Sequence, residues 1–239
     1  MNLGIEGRVA LVTASSKGLG RASAVALAEE GCRVVICARG EEALRDAEKE
    51  IAQHAEVLAM PVDVTEPAMP MHLVEAAVER FGALHILVAN AGGPPPGRAL
   101  EVDDAAIEAA VNANLLTSVR LVREAVPYMR AAGWGRICCI ASYSVKEPIP
   151  TLALSNTART GLWAWAKTAA ADLFPDGITL NLACPGAHAT ERMKQLGGGG
   201  PLGDPADFGR VVAFLCSAPA SFLSGAAVQV DGTATAGLL

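Results

Sequence analysis

The chain of 239 residues is 51% apolar and carries a formal net charge of −6, with no run of lysines or arginines. The negative net charge argues against nucleic acid and anionic membrane surfaces as partners. The length and the apolar content suffice for one large hydrophobic core. No apolar stretch reaches the roughly 18 residues of a membrane span, and the start of the chain lacks the layout of a signal peptide. We therefore expect a cytoplasmic protein.

Short apolar runs alternate with longer helical patterns along the whole chain. The predicted strands lie near residues 8–13, 33–38, 56–61, 84–90, 135–142, 178–184 and 226–230. The predicted helices lie near residues 18–31, 41–54, 67–82, 103–131, 153–174 and 204–217. Strict alternation with short connections predicts an α/β fold with a doubly wound, parallel seven-stranded sheet, helices on both faces, and one domain over residues 1–239.

The cysteines and histidines do not form a pattern typical of a metal site. The six cysteines lie mostly within apolar runs and form no C-x-x-C pair, so we expect them to be core thiols. The four histidines are scattered, with no second ligand at a suitable spacing. No metal site is predicted.

The stretch RVALVTASSKGLG, residues 8–20, has the order of a dinucleotide-binding unit: a strand, a glycine-bearing turn and a helix. Such a turn brings backbone N–H groups and a helix N-terminus to a pyrophosphate, and glycine lets the backbone come close. The alternative is a glycine turn that only packs a helix on a strand. The residues predicted to contact a dinucleotide here are Thr13, Ser15, Ser16, Lys17, Gly18, Leu19 and Gly20.

The end of the second strand indicates which dinucleotide binds. An acidic residue at this position selects the 2′-hydroxyl of NAD, whereas a basic one accommodates a 2′-phosphate. This chain has Ala38 followed by Arg39, and Lys17 adds a second cation. The pattern predicts a preference for NADP(H) over NAD(H). Alternatively, Arg39 only caps the end of the strand.

The third and fourth strands also end in candidate cofactor contacts. Asp63, followed by Val64, is placed where a carboxylate accepts from an adenine amino group, although it is equally suited to cap a short turn. After the fourth strand, the small residues in Asn90, Ala91 and Gly92 leave room for a ribose.

These motifs, in this order, resemble the short-chain dehydrogenase/reductase family, and within it the 3-oxoacyl carrier-protein reductases. The resemblance implies a Rossmann-like fold, hydride transfer between nicotinamide and a small carbonyl compound or secondary alcohol, and a homodimer or homotetramer. It implies that Asn114 holds a proton-relay water and that Ser142 orients the substrate carbonyl. By the same resemblance, the carboxamide loop comprises Pro185, Gly186 and Thr190, and the last strand ends in Val230, Asp231 and Gly232.

The chain differs from this family at the Tyr-x-x-x-Lys pair, which falls on Ser155 and Arg159. In the family, the tyrosine donates the proton and the lysine lowers the pKa of the tyrosine. A serine hydroxyl ends roughly 4 Å nearer the backbone, and arginine does not deprotonate at working pH. Loss of a positioned general acid typically costs about 10²–10⁴ in rate.

Two readings of this departure stay open. Tyr143 and Lys146, just after Ser142, are candidates to supply the proton, or they are loop residues that shape the pocket. The chain is therefore predicted to be either an oxidoreductase with an atypical proton donor or an NADP(H)-binding protein without turnover, such as a sensor or partner subunit.

The segment after Thr190 predicts a shortened substrate flap near residues 191–203. Four glycines, Gly197 to Gly200, interrupt it. Because a glycine run loses much entropy on ordering, it predicts an open, mobile cleft. The alternative is a plain flexible connection.

Overall fold

A computed structural model describes residues 2–197 and 200–238, and its strands confirm the predicted sheet. Seven parallel strands lie in the order β3-β2-β1-β4-β5-β6-β7. Their bounds are β1 (Val9–Val12), β2 (Arg33–Ala38), β3 (Val57–Pro61), β4 (Ile86–Ala89), β5 (Gly135–Ile140), β6 (Ile178–Pro185) and β7 (Ala227–Val230). The chain order reverses between β1 and β4, which is where such sheets open a crevice for ligands.

Helices cover both faces of this sheet, as predicted. Their bounds are α1 (Gly18–Glu29), α2 (Glu41–Ile51), α3 (Met69–Phe81), α4 (Asp104–Val111), α5 (Thr117–Ala131), α6 (Ala153–Leu173), α7 (Glu191–Leu196) and α8 (Pro205–Leu215). Leu73 and Leu121 belong to the core under α3, α5 and α6. Leu27 and Phe208 belong to a second core under α1, α2 and α8. The six cysteines are buried and free, which confirms the prediction of core thiols.

The helix predicted over residues 103–131 is interrupted by one wide turn. Residues Asn112–Leu116 form a π-helical segment between α4 and α5. The backbone N–H of Thr117 donates to the carbonyl of Asn112, five residues back. The Asn112 side chain is held on both sides: Arg120 donates to its Oδ1 at 2.7 Å, and its Nδ2 donates to the Thr65 carbonyl at 3.0 Å. This turn places Asn114 at the cleft described below.

The flap contains a short helix that the glycine pattern did not predict. The Thr190 hydroxyl accepts from the backbone N–H of Met193 at 3.3 Å and so caps α7. The helix ends at Gly197, which has a φ of 67°. Gly198 and Gly199, the middle of the glycine run, lie outside the described residues. The mobility of the flap stays a prediction.

The amino end of the sheet, opposite the crevice, carries an aromatic stack. Two guanidiniums pack on the Trp134 ring, with the Cζ atoms of Arg8 and Arg136 at 4.3 Å and 4.4 Å from its centroid. Arg136 is buried and donates to the carbonyl of Ser217 at 2.9 Å. These contacts fix the entry into β5.

Over residues 2–197 and 200–238, no helix combines the length and apolarity needed to cross a bilayer. The same residues contain no group of three or more histidine, cysteine, aspartate or glutamate side chains suited to holding a metal ion.

Candidate active site

A cleft of about 580 Å³ opens at the carboxyl ends of β1, β2, β3 and β4. Its lining is mostly small or apolar, with cations near one end. The structure brings eight of the predicted site residues to its walls: Ser16, Lys17, Arg39, Asp63, Val64, Ala91, Gly92 and Asn114. A cleft of this size and position suits an extended ligand such as a dinucleotide.

Hydrogen bonds between Thr13 and Asn90 join the ends of β1 and β4 beneath the cleft. The Thr13 hydroxyl donates to the carbonyl of Asn90 at 2.7 Å and accepts from the Asn90 backbone N–H at 2.9 Å. The Asn90 side-chain amide donates to the carbonyl of Ala14 at 3.1 Å. These bonds tie the ends of β1 and β4 together, so both residues fix the turn from beneath.

Ser15 and Leu19 face away from the cleft. The Ser15 hydroxyl is buried, donates to the Val12 carbonyl at 2.7 Å and accepts from the Cys37 backbone N–H at 3.3 Å. The Leu19 side chain packs on the core under α1, α2 and α8. Their side chains therefore stabilise the turn, and only their backbone is placed for a ligand.

Close approach explains Gly20, and a positive φ explains Gly18. A Cβ at Gly20 would lie 2.6 Å from the carbonyl oxygen of Ala14 and 2.6 Å from the Asn90 amide nitrogen. Gly18 has a φ of 56°, and a Cβ there would lie 3.5 Å from the methyl group of Thr190. The turn and the predicted carboxamide loop therefore meet at the start of α1. Pro185 ends β6 beside β7, and the Gly186 N–H donates to the Val230 carbonyl at 3.0 Å.

Arg39 and Asp63 face one another at the outer end of the cleft. Their nearest side-chain atoms, Nη1 and Oδ2, are 3.7 Å apart, and the Arg39 side chain is 80% exposed. The Asp63 Oδ1 accepts from the backbone N–H and the hydroxyl of Thr65, at 3.0 and 2.8 Å, so it does cap a short turn. Partial burial raises the pKa of Asp63, but the two Thr65 hydrogen bonds and the charge of Arg39 outweigh it and lower the pKa below its usual value.

Ser142 follows β5 and lies beside the end of β6. Its hydroxyl accepts from the Ser144 backbone N–H at 3.1 Å. Burial, and next the thiol of Cys138, raises the pKa of Cys184 to about 12. Cys184 therefore stays a neutral thiol at the inner end of the site.

The two alternative proton donors after Ser142 point toward β7. The Lys146 Nζ is 3.3 Å from the Gln229 Oε1 and 5.9 Å from the ring centroid of Trp163. Burial, followed by the charges of Glu147 and Asp231, raises the pKa of Tyr143. Neither residue donates a hydrogen bond to Ser142 or Ser155 in the structure.

Ser155 and Arg159 lie one helical turn apart near the start of α6, and both are buried. The Arg159 Nη1 donates to the Ser155 hydroxyl at 2.9 Å. Burial, and then the charge of Arg192, lowers the pKa of Arg159 to about 10, so the guanidinium keeps its charge at neutral pH. Its Nε has no hydrogen-bond partner among residues 2–197 and 200–238, and neither has the Oδ1 of Asn114.

Arg192 on α7 contacts the loop after β4, whose Gly93 and Pro94 line the cleft. Its Nη2 donates to the carbonyl of Pro94, and its Nε would lie 3.1 Å from a Cβ at Gly93. The Arg192 side chain therefore joins the flap to this loop. The sequence does not predict Arg192 as a site residue. The signal that could have placed it on a helix is the Thr-Glu pair at the start of α7, which is typical of a capped helix.

The family model for short-chain dehydrogenases matches residues 8–198. The chain belongs to the short-chain dehydrogenase family. A pig relative, dehydrogenase/reductase SDR family member 4, is 30% identical and aligns over 95% of this chain and 87% of its own. The 3-oxoacyl acyl-carrier-protein reductase of Vibrio cholerae is 28% identical, over 96% of this chain and 98% of its own.

A solved structure of the same architecture is L-sorbose reductase from Gluconobacter frateurii, complexed with NADPH and L-sorbose. It superposes with a TM-score of 0.91 at 30% identity, covering 97% of this chain and 98% of that one. The structural similarity covers nearly the whole of this chain. The match to the family model includes the segment that carries Ser155 and Arg159.

Proposed function

We propose that this short-chain dehydrogenase is an NADP(H)-dependent oxidoreductase that transfers hydride between nicotinamide and a carbonyl compound or secondary alcohol. The observation that carries the proposal is the cleft at the β1–β4 crossover, walled by the glycine turn and by two cations. The L-sorbose reductase neighbour, which was solved with NADPH, supports it.

The residues present fit such a cofactor. Atoms of the chain fill the space beside Gly20. At Gly92, in contrast, no atom lies within 4 Å of a Cβ position, so the cleft wall is open where a ribose is expected. Lys17 and Arg39 line the same cleft, and Ala38, at the end of β2, stands in place of an acidic residue. Two cations without an acid at that position favour a 2′-phosphate over a 2′-hydroxyl. Asp63 and Val64 are assigned to the adenine.

Bound in this cleft, the nicotinamide would supply or accept the hydride; the chain's own residues handle the substrate oxygen and the proton. We assign to Ser142 the orientation of the substrate oxygen. Because Ser155 already accepts a hydrogen bond from Arg159, its own O–H is free to donate to that oxygen. The adjacent positive charge favours a negative oxygen at this point.

Proton supply then runs through water rather than through a tyrosine. The unpartnered Oδ1 of Asn114 is a suitable acceptor for an ordered water. Ser155 passes its proton to the substrate oxygen and regains one from that water, which in turn takes a proton from the solvent of the open cleft. Arg159 keeps its proton throughout and donates to Ser155. Serine is a weak acid, so we expect slow turnover.

The test is a titration of NADPH and NADH, followed by fluorescence, and then an absorbance screen of ketones and secondary alcohols. Removing the cations in Lys17→Ala and Arg39→Ala is expected to weaken NADPH about tenfold each, because each loses a charge-assisted hydrogen bond partly screened by solvent. NADH affinity should not change. Arg45→Ala, an exposed arginine of α2 paired with Glu41, is the matched control.

A second candidate function is binding without turnover, and the replacement of the family's pair by Ser155 and Arg159 favours it. Tight NADPH binding with no absorbance change for any carbonyl or alcohol would support this second function. Absence of binding to either dinucleotide would overturn both. A cytoplasmic location and a homodimer or homotetramer stay predictions.

A further inference from the structure

We infer that Arg159 and Arg192 together form a receptor for a carboxylate on the substrate, so that the protein acts on an oxo acid or hydroxy acid rather than on a neutral ketone or alcohol. The inference rests on the proposed function, because it names the substrate class for the proposed reaction. It is carried by the environment of the two guanidiniums.

Arg159 is a buried charge without a counter-ion. Its side chain is 8% exposed, and its hydrogen-bonding partner is the neutral hydroxyl of Ser155, at 2.9 Å. Within the described part of the chain, its Nε is without a partner and no carboxylate forms an ion pair with it. A buried cation normally requires pairing, so this site is incomplete until an anion enters.

Arg192 brings a second positive charge to this side of the site. After burial, its charge is the next cause that lowers the pKa of Arg159, and its own hydrogen-bond partner is the neutral carbonyl of Pro94. The neighbouring acid, Glu191, pairs with Lys194 at 2.7 Å instead. Two like charges drawn together from different elements repel one another, and an anion between them removes that cost.

The acidic side chains on the β7 side of the site are already engaged. Asp231 accepts from the backbone N–H groups of Thr233 and Thr235 and from the Thr235 hydroxyl, and Glu147 accepts from the Ala236 N–H at 2.6 Å. They therefore bind the C-terminal segment and leave the guanidiniums to a ligand.

The position of the receptor defines the kind of substrate. Ser155, which holds the reacting oxygen in the proposed mechanism, is only 2.9 Å from the Arg159 Nη1. An anion on Arg159 therefore lies next to the reacting carbon, as the carboxylate of a 2-oxo or 3-oxo acid does. The guanidinium fork matches the two oxygens of a carboxylate, and the N-terminus of α6 adds positive potential.

The experiment compares benzoylformate, a 2-oxo acid, with its neutral methyl ester by calorimetry on the protein saturated with NADP⁺, where no hydride is available. We expect benzoylformate to bind at least about tenfold more tightly than the ester, since one charge-assisted pair is worth that much. Arg192→Met is expected to abolish this difference while leaving NADP⁺ affinity within about twofold. Arg123→Met, an exposed arginine of α5, should keep it.

Equal affinities for the acid and the ester, no heat with benzoylformate, or an unchanged preference in Arg192→Met would each overturn the inference. The NADP⁺ titration tests the proposed function separately. If NADP⁺ itself fails to bind, the proposed function falls, and the benzoylformate titration of the cofactor-free protein still decides whether the carboxylate receptor exists.

Discussion

Replacing Ala14 by glycine is expected to stabilise the folded protein, although glycine usually destabilises. Ala14 has a φ of 47°, in the left-handed region where a Cβ crowds the following carbonyl. That conformation costs an alanine roughly 1–2 kcal/mol. Glycine removes this cost but gives back about 0.4–1 kcal/mol through the greater freedom of the unfolded chain. The net gain is about 1 kcal/mol.

The assay is thermal unfolding of the ligand-free protein, followed by circular dichroism. For a chain of this length, about 1 kcal/mol raises the Tm by about 2–4 °C. Ala171→Gly is the matched control, because Ala171 is exposed within α6 and has no left-handed conformation to relieve. The control should lower stability by about 1 kcal/mol. An Ala14→Gly variant that melts at or below the temperature of the unaltered protein would refute the assignment of strain to this turn.

The remaining predictions concern packing, ionisation and the altered pair. Gly20→Ala should lower stability by about 1–3 kcal/mol and abolish NADPH binding, because its Cβ would meet two polar atoms at 2.6 Å; unfolding and titration check this. Burial raises the pKa of Cys32 and Cys37 from 9.0 to about 12. Between pH 9 and 12 the unfolded chain therefore binds fewer protons than the folded chain, so stability should fall as pH rises. The stability of the Cys37→Ala variant should fall less steeply. Ser155→Tyr with Arg159→Lys should raise the turnover of neutral ketones by about 10² or more; activity no higher than with phenylalanine at 155 would contradict the assigned register.

Most of the fold could be predicted from the sequence because periodicity reports directly on burial. Apolar runs such as residues 33–38 are buried on both faces of the sheet and are followed by the polar residues that begin a helix. For this reason the observed bounds of every strand lie within two residues of the predicted bounds. The family resemblance is likewise confirmed, because its motifs fall where short loops leave the strands.

The parts that could not be predicted depend on contacts distant in sequence. The wide turn at residues 112–116 is held by Arg120 and by the carbonyl of Thr65, and neither marks a break in a helical pattern. The turn motif predicts Ser15 as a dinucleotide contact, but it does not reveal that the backbone of β1 and β2 binds the Ser15 hydroxyl. Arg192 is identified as a candidate site residue only through its effect on Arg159, which lies 33 positions earlier in the sequence.

Trp134 and Trp163 give the protein two separate optical probes. Trp134 packs against the guanidiniums of Arg8 and Arg136 at the end opposite the cleft, so its emission is expected to follow the melting of the sheet rather than ligand binding. Trp163 lies near Lys146, so under the proposed function its emission is the one expected to respond to a bound dihydronicotinamide. Single-tryptophan variants would therefore separate folding from binding in the same cuvette.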